Sequence, residues 1–275
     1  MMGAFWGSMA ALSIGMSELF GRRVVNTAGA LTAGFVMQVV GTLTALVSVV
    51  FFASEFAMND MAWGALSGFG MASGLGCYFS GLKHSSATVV SPMVATLAAV
   101  IPFVYTIVRG ADVSLIAVVG ATVAFGGLAI IAAGTGDAVG LRSGLAWGLA
   151  SGLSYGTGLS VLVEVSDAAG VWPAVSQRIV GTIVLGTAAV LTKSVLWPPA
   201  GHRVNGMTAG VFAGLSSVFA LIGLAIDAPP TVVTQSMFPV VSVIVGFLYF
   251  GDSVARRQIV GIVLVLAGIG AVVAG

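Results

Sequence analysis

Charge is what this sequence has least of. Its 275 residues carry 10 Lys and Arg and 9 Asp and Glu, 7% in all, against 58% hydrophobic residues and a mean hydropathy of +1.12. A soluble domain of this size cannot hide that much apolar surface, so the chain reads as a polytopic membrane protein. The net charge of +1 comes without any basic patch, which excludes a nucleic-acid partner. One cysteine, Cys77, excludes an internal disulfide and a cysteine metal cluster, and no metal-ligand grouping or cofactor motif replaces it. Two histidines, His84 and His202, read as loop residues and leave a hydrolase without a base. No basic stretch precedes the first apolar run, so a signal peptide is not expected.

What is present is written twice. Residues 3–15, GAFWGSMAALSIG, return as residues 144–156, GLAWGLASGLSYG. The ends of the halves repeat at the same spacing: Gly110, Val113, Gly120, Gly127 and Gly134 return as Gly251, Val254, Gly261, Gly268 and Gly275. Ten apolar spans follow, at about 3–21, 29–52, 61–82, 87–108, 113–134, 142–163, 171–192, 206–226, 230–250 and 255–274. They lack the alternation of barrel strands, so the expected fold is all-α, with ten transmembrane helices. The halves meet near residues 134–137, giving repeats at 1–135 and 140–275. Five helices per half is an odd number, so the second half enters the membrane from the opposite side as an inverted repeat.

Charge then sets orientation. Loops after odd-numbered helices carry Arg22, Arg23, Lys83, Arg142, Lys193, Arg203, Arg256 and Arg257, whereas those after even-numbered helices carry only Arg109 beside acidic residues. The positive-inside rule places the odd loops in the cytoplasm and both termini outside a cytoplasmic membrane. Gly3, Gly7, Ala11 and Gly15, and again Gly144, Gly148, Gly152 and Gly156, form smooth stripes four residues apart. Such stripes admit a second backbone closely, as static packing or as sliding surfaces between the halves.

Residues 81–92, GLKHSSATVVSP, resemble a conserved segment of EamA-type members of the drug/metabolite transporter superfamily, with a second copy at 223–234, GLAIDAPPTVVT. Pro239 with Gly251-Asp252 resembles another run of that family, Asp standing for the usual Glu. The resemblance covers the whole chain. It implies ten helices in two inverted repeats, a central cavity for a small metabolite, and export. Many family members keep both termini in the cytoplasm, so the charge bias here departs from the commoner orientation.

Arg178 is the sharpest single residue. It lies about seven residues inside the seventh span, roughly 10 Å from the helix end at 1.5 Å per residue. A charge at that depth costs at least ~2–3 kcal/mol and faces a partner or a cavity. It is read either as a structural arginine or as a docking point for a substrate carboxylate or phosphate. Its repeat counterpart is Gln38, through QVVGT at 38–42 and RIVGT at 178–182. Both polar ends are expected at a shared midplane site. Glu18 is a candidate interfacial or proton-coupling carboxylate. Ser91, Thr234 and Gln235, close to Pro92 and Pro230, are candidate substrate contacts, as are the pocket or interface aromatics Trp6, Trp147, Tyr78 and Tyr155. Pro102 and Pro239, inside the fourth and ninth spans, free backbone carbonyls or simply kink their helices. GLSYG at 152–156 fits the nucleophile-elbow pattern, and Gly68, Gly70 and Gly74 fit part of a dinucleotide loop. Both lie inside apolar helices rather than at strand–helix turns, so neither supports an enzyme.

The sequence therefore points to a secondary transporter of a small metabolite, an amino acid or related organic anion, working as a monomer by alternating access, with proton coupling open. The rivals are a broad-specificity drug exporter and a non-transporting membrane partner or sensor.

Overall fold

The computed structural model describes residues 1–52, 54–84, 87–132, 141–250 and 256–274; inside its helices, some side chains, among them those of Ser91, Pro92 and Pro239, also lie outside the described set. The expected half boundary at 134–137, Gly251-Asp252 and Gly275 fall outside the described residues. Eleven α-helices follow in order: α1 (Met2–Ala28), α2 (Ala30–Ser48), α3 (Met58–His84), α4 (Ala87–Val108), α5 (Leu115–Ala132), α6 (Leu141–Ser160), α7 (Trp172–Leu191), α8 (Arg203–Ile226), α9 (Ala228–Gln235), α10 (Phe238–Phe250) and α11 (Arg256–Ala274). Among the described residues there is no strand.

The first eight spans and the tenth each correspond to one helix. The ninth, expected unbroken over 230–250, is two helices, α9 and α10, meeting at Ser236 and Met237. Pro239 has no N–H to give to the Gln235 carbonyl, so one ladder cannot run through the joint. The chain tightens instead, with the Met237 amide bonded to the Thr234 carbonyl at 3.2 Å, before α10 starts with proline at its second position. His84, expected in a loop, is the last residue of α3, and His202 closes a short 3-10 turn. The single residue between α1 and α2 is Gly29, whose φ of 87° only glycine adopts without strain.

Among the described residues, four helical stretches, at Ala30–Ser48, Trp172–Leu191, Ala200–Ile226 and Arg256–Ala274, are by length and composition long and apolar enough to cross a membrane. Outward faces are apolar as well. Leu115, Ile116, Val119 and Val123 on α5, and Ile259, Val260, Val263 and Leu266 on α11, are all exposed, which suits contact with lipid.

Packing pairs the early helices with the late ones: α1 on α8, α3 on α6 and α7, α2 on α7 and α8, and α5 on α11. The glycine stripes make these approaches possible. On α1, Gly3 and Gly7 face Asp227, Thr231 and Thr234, and Gly15 faces Val241; on α6, Gly148, Gly152 and Gly156 face Met93, Leu97 and Ile101 of α4. Along α5 and α11, Gly120 faces the Gly268 carbonyl and Gly268 faces the Gly120 carbonyl. Two serines lock neighbouring contacts: Ser17 donates to the Ala209 carbonyl at 2.8 Å and Ser151 to the Gly74 carbonyl at 2.7 Å.

A methyl group at Gly7 would sit 2.1 Å from Thr234 Oγ1 and 2.5 Å from the Thr231 carbonyl. Because backbone is one of the atoms in the way, Gly7→Ala is expected to destabilise by about 1–3 kcal/mol. Gly76→Ala, which meets nothing within 4 Å, is the control. Thermal unfolding of the two purified variants against wild type measures the difference.

Candidate functional site

Arg178 lies deep in the bundle on the second turn of α7, yet keeps accessible surface. Its aliphatic stem passes over Gly41 of α2, where a β-carbon would lie in van der Waals contact with it. Its head then meets acceptors from two other helices. Nη1 donates to Gln38 Oε1 on α2 at 2.9 Å. Nε and Nη2 donate to Ser217 Oγ on α8 at 3.1 and 2.7 Å, and Nη2 also donates to the Ala213 carbonyl. No carboxylate is among its partners in the described residues. The expected juxtaposition of Gln38 and Arg178 is present as a direct hydrogen bond. Gly181 allows it, since a methyl group there would come within 2.6 Å of Gln38 Nε2.

Behind Arg178 runs a second row that the sequence did not single out. Ser217 donates to Gln177 Oε1 at 2.7 Å, and Gln177 Nε2 donates to Ser67 Oγ on α3 at 2.8 Å. Ser67, Gln177 and Ser217 are all buried, at 0%, 5% and 7% exposure, so the row is closed to solvent. The available signal was three polar residues inside apolar helices, Gln177 directly beside Arg178. Gly68 seats α3 against the Gln177 carbonyl.

A second polar group lies between α3 and α6. Tyr155 packs against Gly74 and lies within electrostatic reach of Tyr78, Glu18 and Cys77. Glu18 is exposed, and Tyr78 and Tyr155 are half-buried. Glu18 follows Ser17, which bonds Ala209 one helical turn along α8 from the Ala213 carbonyl held by Arg178. The α8 carbonyls that hold Ser17 and Arg178 are thus about 6 Å apart along that helix.

The other candidates fall in different places. Trp6 packs on Phe219, ring centroids 5.5 Å apart, two residues along α8 from Ser217. Trp147 stacks on His84 at 6.5 Å, where the end of α3 meets the start of α6 and away from Arg178. Thr234 is fully buried against Gly7 and bonds back to the Pro230 carbonyl at 2.8 Å, so its hydroxyl faces its own helix. Gln235 lines a small recess at the α9–α10 joint with Pro102, Leu159 and Ser236. Ser91 lies in α4, but its side chain is outside the described set. An apolar groove of about 570 Å³ runs between α2 and α8, lined by Leu43, Val47, Phe51, Leu215 and Phe219 among others.

Polar contacts close both ends of the bundle. At one end Asp60, 4% exposed, accepts from the Ser166 amide at 2.9 Å and hydroxyl at 2.7 Å, and Arg109 pairs with Glu164 at 2.7 Å. Tyr105 also donates to Glu164, at 2.6 Å. At the other end Arg23 reaches Asn205 at 3.4 Å and Thr32 donates to the Val195 carbonyl.

Gln177→Leu removes the link between Ser67 and Ser217 and leaves both hydroxyls buried without it. It is expected to cost about 1–3 kcal/mol in thermal unfolding. Arg109→Ala, at a residue whose side chain is 56% exposed, is expected to cost less than about 1 kcal/mol.

Comparison with known proteins agrees with this architecture. A solved crystal structure, described only as that of a protein, superposes with a TM-score of 0.79 over 98% of each chain at 15% identity, a likeness of fold alone. No curated protein matches the chain. Residues 1–133 match the EamA-like transporter family. Over those residues, just under half of its length, the chain is similar to the EamA-like transporters of the drug/metabolite transporter superfamily.

Proposed function

We propose that this chain is a secondary transporter of a small polar metabolite, bound at Arg178 and Gln38 between two inverted five-helix halves, residues 1–135 and 140–275. The observation that carries the reading is the Arg178–Gln38 bond. It places a guanidinium with no protein carboxylate among its described partners on the seam between early and late helices. A charge in that position is expensive to keep unless something uses it. The pairing of α1 with α8, α6 with α3, α2 with α7 and α5 with α11 is the pattern an inverted repeat generates. Rocking of one half against the other would open the seam to each side of the membrane in turn. Substrate would then meet Arg178 and Gln38, with Trp6, Tyr78 and Tyr155 as further contacts along its path and Glu18 as a site for coupling to protons. Export is the direction the family resemblance favours.

The apolar groove between α2 and α8 favours a second reading, export of lipophilic compounds. Flux separates the two. Protein reconstituted into liposomes loaded with unlabelled amino acids and organic acids is expected to show saturable counterflow of at least one labelled member. Arg178→Ala is expected to lower it by tenfold or more, the size of one lost charge-assisted hydrogen bond. Arg142→Ala, an exposed change at the start of α6, is expected to leave it within twofold. Flux of lipophilic cations that survives Arg178→Ala supports the second reading, and no saturable flux of any compound rejects transport.

A further inference from the structure

We infer that the group recognised at Arg178 and Gln38 is an oxyanion, a carboxylate or phosphate that only accepts hydrogen bonds, because three N–H donors, one of them on a cation, are left open there against a single lone pair on Gln38 Oε1. The inference rests on the transporter reading above and narrows it to a charge class. It follows from the direction of each hydrogen bond. Ser67 Oγ accepts from Gln177 Nε2, which turns Gln177 Oε1 toward Ser217. A serine hydroxyl has one proton, and Ser217 donates it to that oxygen. Only lone pairs of Ser217 then face Arg178, and they take the Nε proton and one Nη2 proton. The other Nη2 proton goes to the Ala213 carbonyl and one Nη1 proton to Gln38 Oε1. Of the five N–H donors of a guanidinium, the second on Nη1 has no acceptor among the described residues.

Gln38 is polarised in the same way. Its oxygen is engaged by Arg178, and its Nε2, with two protons, has no acceptor among the described residues and faces Gly181, which offers no side chain. Arg178 and Gln38 both keep accessible surface, whereas Ser67, Gln177 and Ser217 do not. The buried three are therefore positioning residues: they hold the orientation in which Arg178 and Gln38 present donors beside a full positive charge. An ammonium group would meet repulsion there, and an amide nitrogen would find one free lone pair, on Gln38 Oε1, against three N–H donors. A carboxylate or phosphate oxygen would meet three N–H groups, at least one of them cationic, the arrangement that gives the strongest hydrogen bonds.

The test is thermal stability of the purified full-length protein at fixed ionic strength. The probes are acetate, benzoate, succinate and inorganic phosphate, with acetamide, benzamide, succinamide, ethylammonium and benzylammonium as shape-matched controls. At least one oxyanion is expected to raise the Tm in a saturable way while its amide and ammonium counterparts do not. Whether a carboxylate or phosphate acts names the headgroup. Gln38→Glu places a carboxylate where an amide oxygen sits 2.9 Å from Nη1, so it supplies the missing counter-charge from within. Its Tm without probe is expected at or above wild type, and its affinity for the active oxyanion lower by about 10- to 100-fold. Gln38→Met, which removes the amide donors at similar volume, is expected to weaken the oxyanion without that gain in Tm. Ser217→Ala is expected to narrow the preference for oxyanion over amide, and Ser217→Thr to restore it. The inference is overturned if an amide or ammonium compound stabilises the protein through Arg178, if Gln38→Glu binds the oxyanion as wild type does, or if no probe acts. The first of these leaves the transporter reading standing. Oxyanion binding without any flux in liposomes would overturn the transporter reading and leave the anion site standing.

Discussion

A guanidinium in the middle of an apolar bundle has to be solvated by something, and most of the helix arrangement around Arg178 serves that need. Water would do it at the surface. Here the acceptors are Gln38, Ser217 and the Ala213 carbonyl, drawn from α2 and α8. Those helices must stand close and in fixed register to reach it. The row from Ser217 through Gln177 to Ser67 brings α3 into the same register. One cation thus sets the relative positions of four helices, two early and two late in the chain.

The glycines supply the other half of that arrangement. Hydrogen bonds of 2.7–2.9 Å between side chains as short as serine and glutamine demand backbones nearer than leucine or valine would allow. Gly181 and Gly68 lie beside Gln38 and Gln177, where a β-carbon would collide. Between hydrocarbon-coated helices in lipid, little hydrophobic force draws one toward another, so close packing and polar contacts have to do so. Here the two are interlocked: the small residues permit the polar bonds, and the polar bonds justify the small residues.

Much of this was legible in the chain. Nine of the ten apolar runs are single helices among the described residues, because a long apolar run satisfies its own backbone groups best as a helix. The match of QVVGT with RIVGT paired Gln38 with Arg178, and the two side chains are hydrogen-bonded. The break between α9 and α10 was harder to read. Pro239 lies inside an apolar run just as Pro102 does, yet α4 continues through its proline and the ninth span does not. Local sequence does not distinguish a proline that bends a helix from one that ends it. Ser67, Gln177 and Ser217 were passed over because serine and glutamine in an apolar helix are ambiguous until a partner helix is known. Thr234 was read as a ligand contact from its place near a proline, and only packing shows its hydroxyl turned back on its own helix beside Gly7.

The joint between α1 and α2 constrains how such a bundle can move. Gly29 alone separates 27 helical residues from 19, so no slack lies between them. A displacement of α1, which carries Trp6 and Glu18, cannot be absorbed in a loop before it reaches α2. It arrives as rotation about one residue, like a crank, and swings the segment that bears Gln38. Trp6, Glu18 and the Gln38 partner of Arg178 are therefore carried on a single mechanical part, and the glycine's backbone torsions are its bearing.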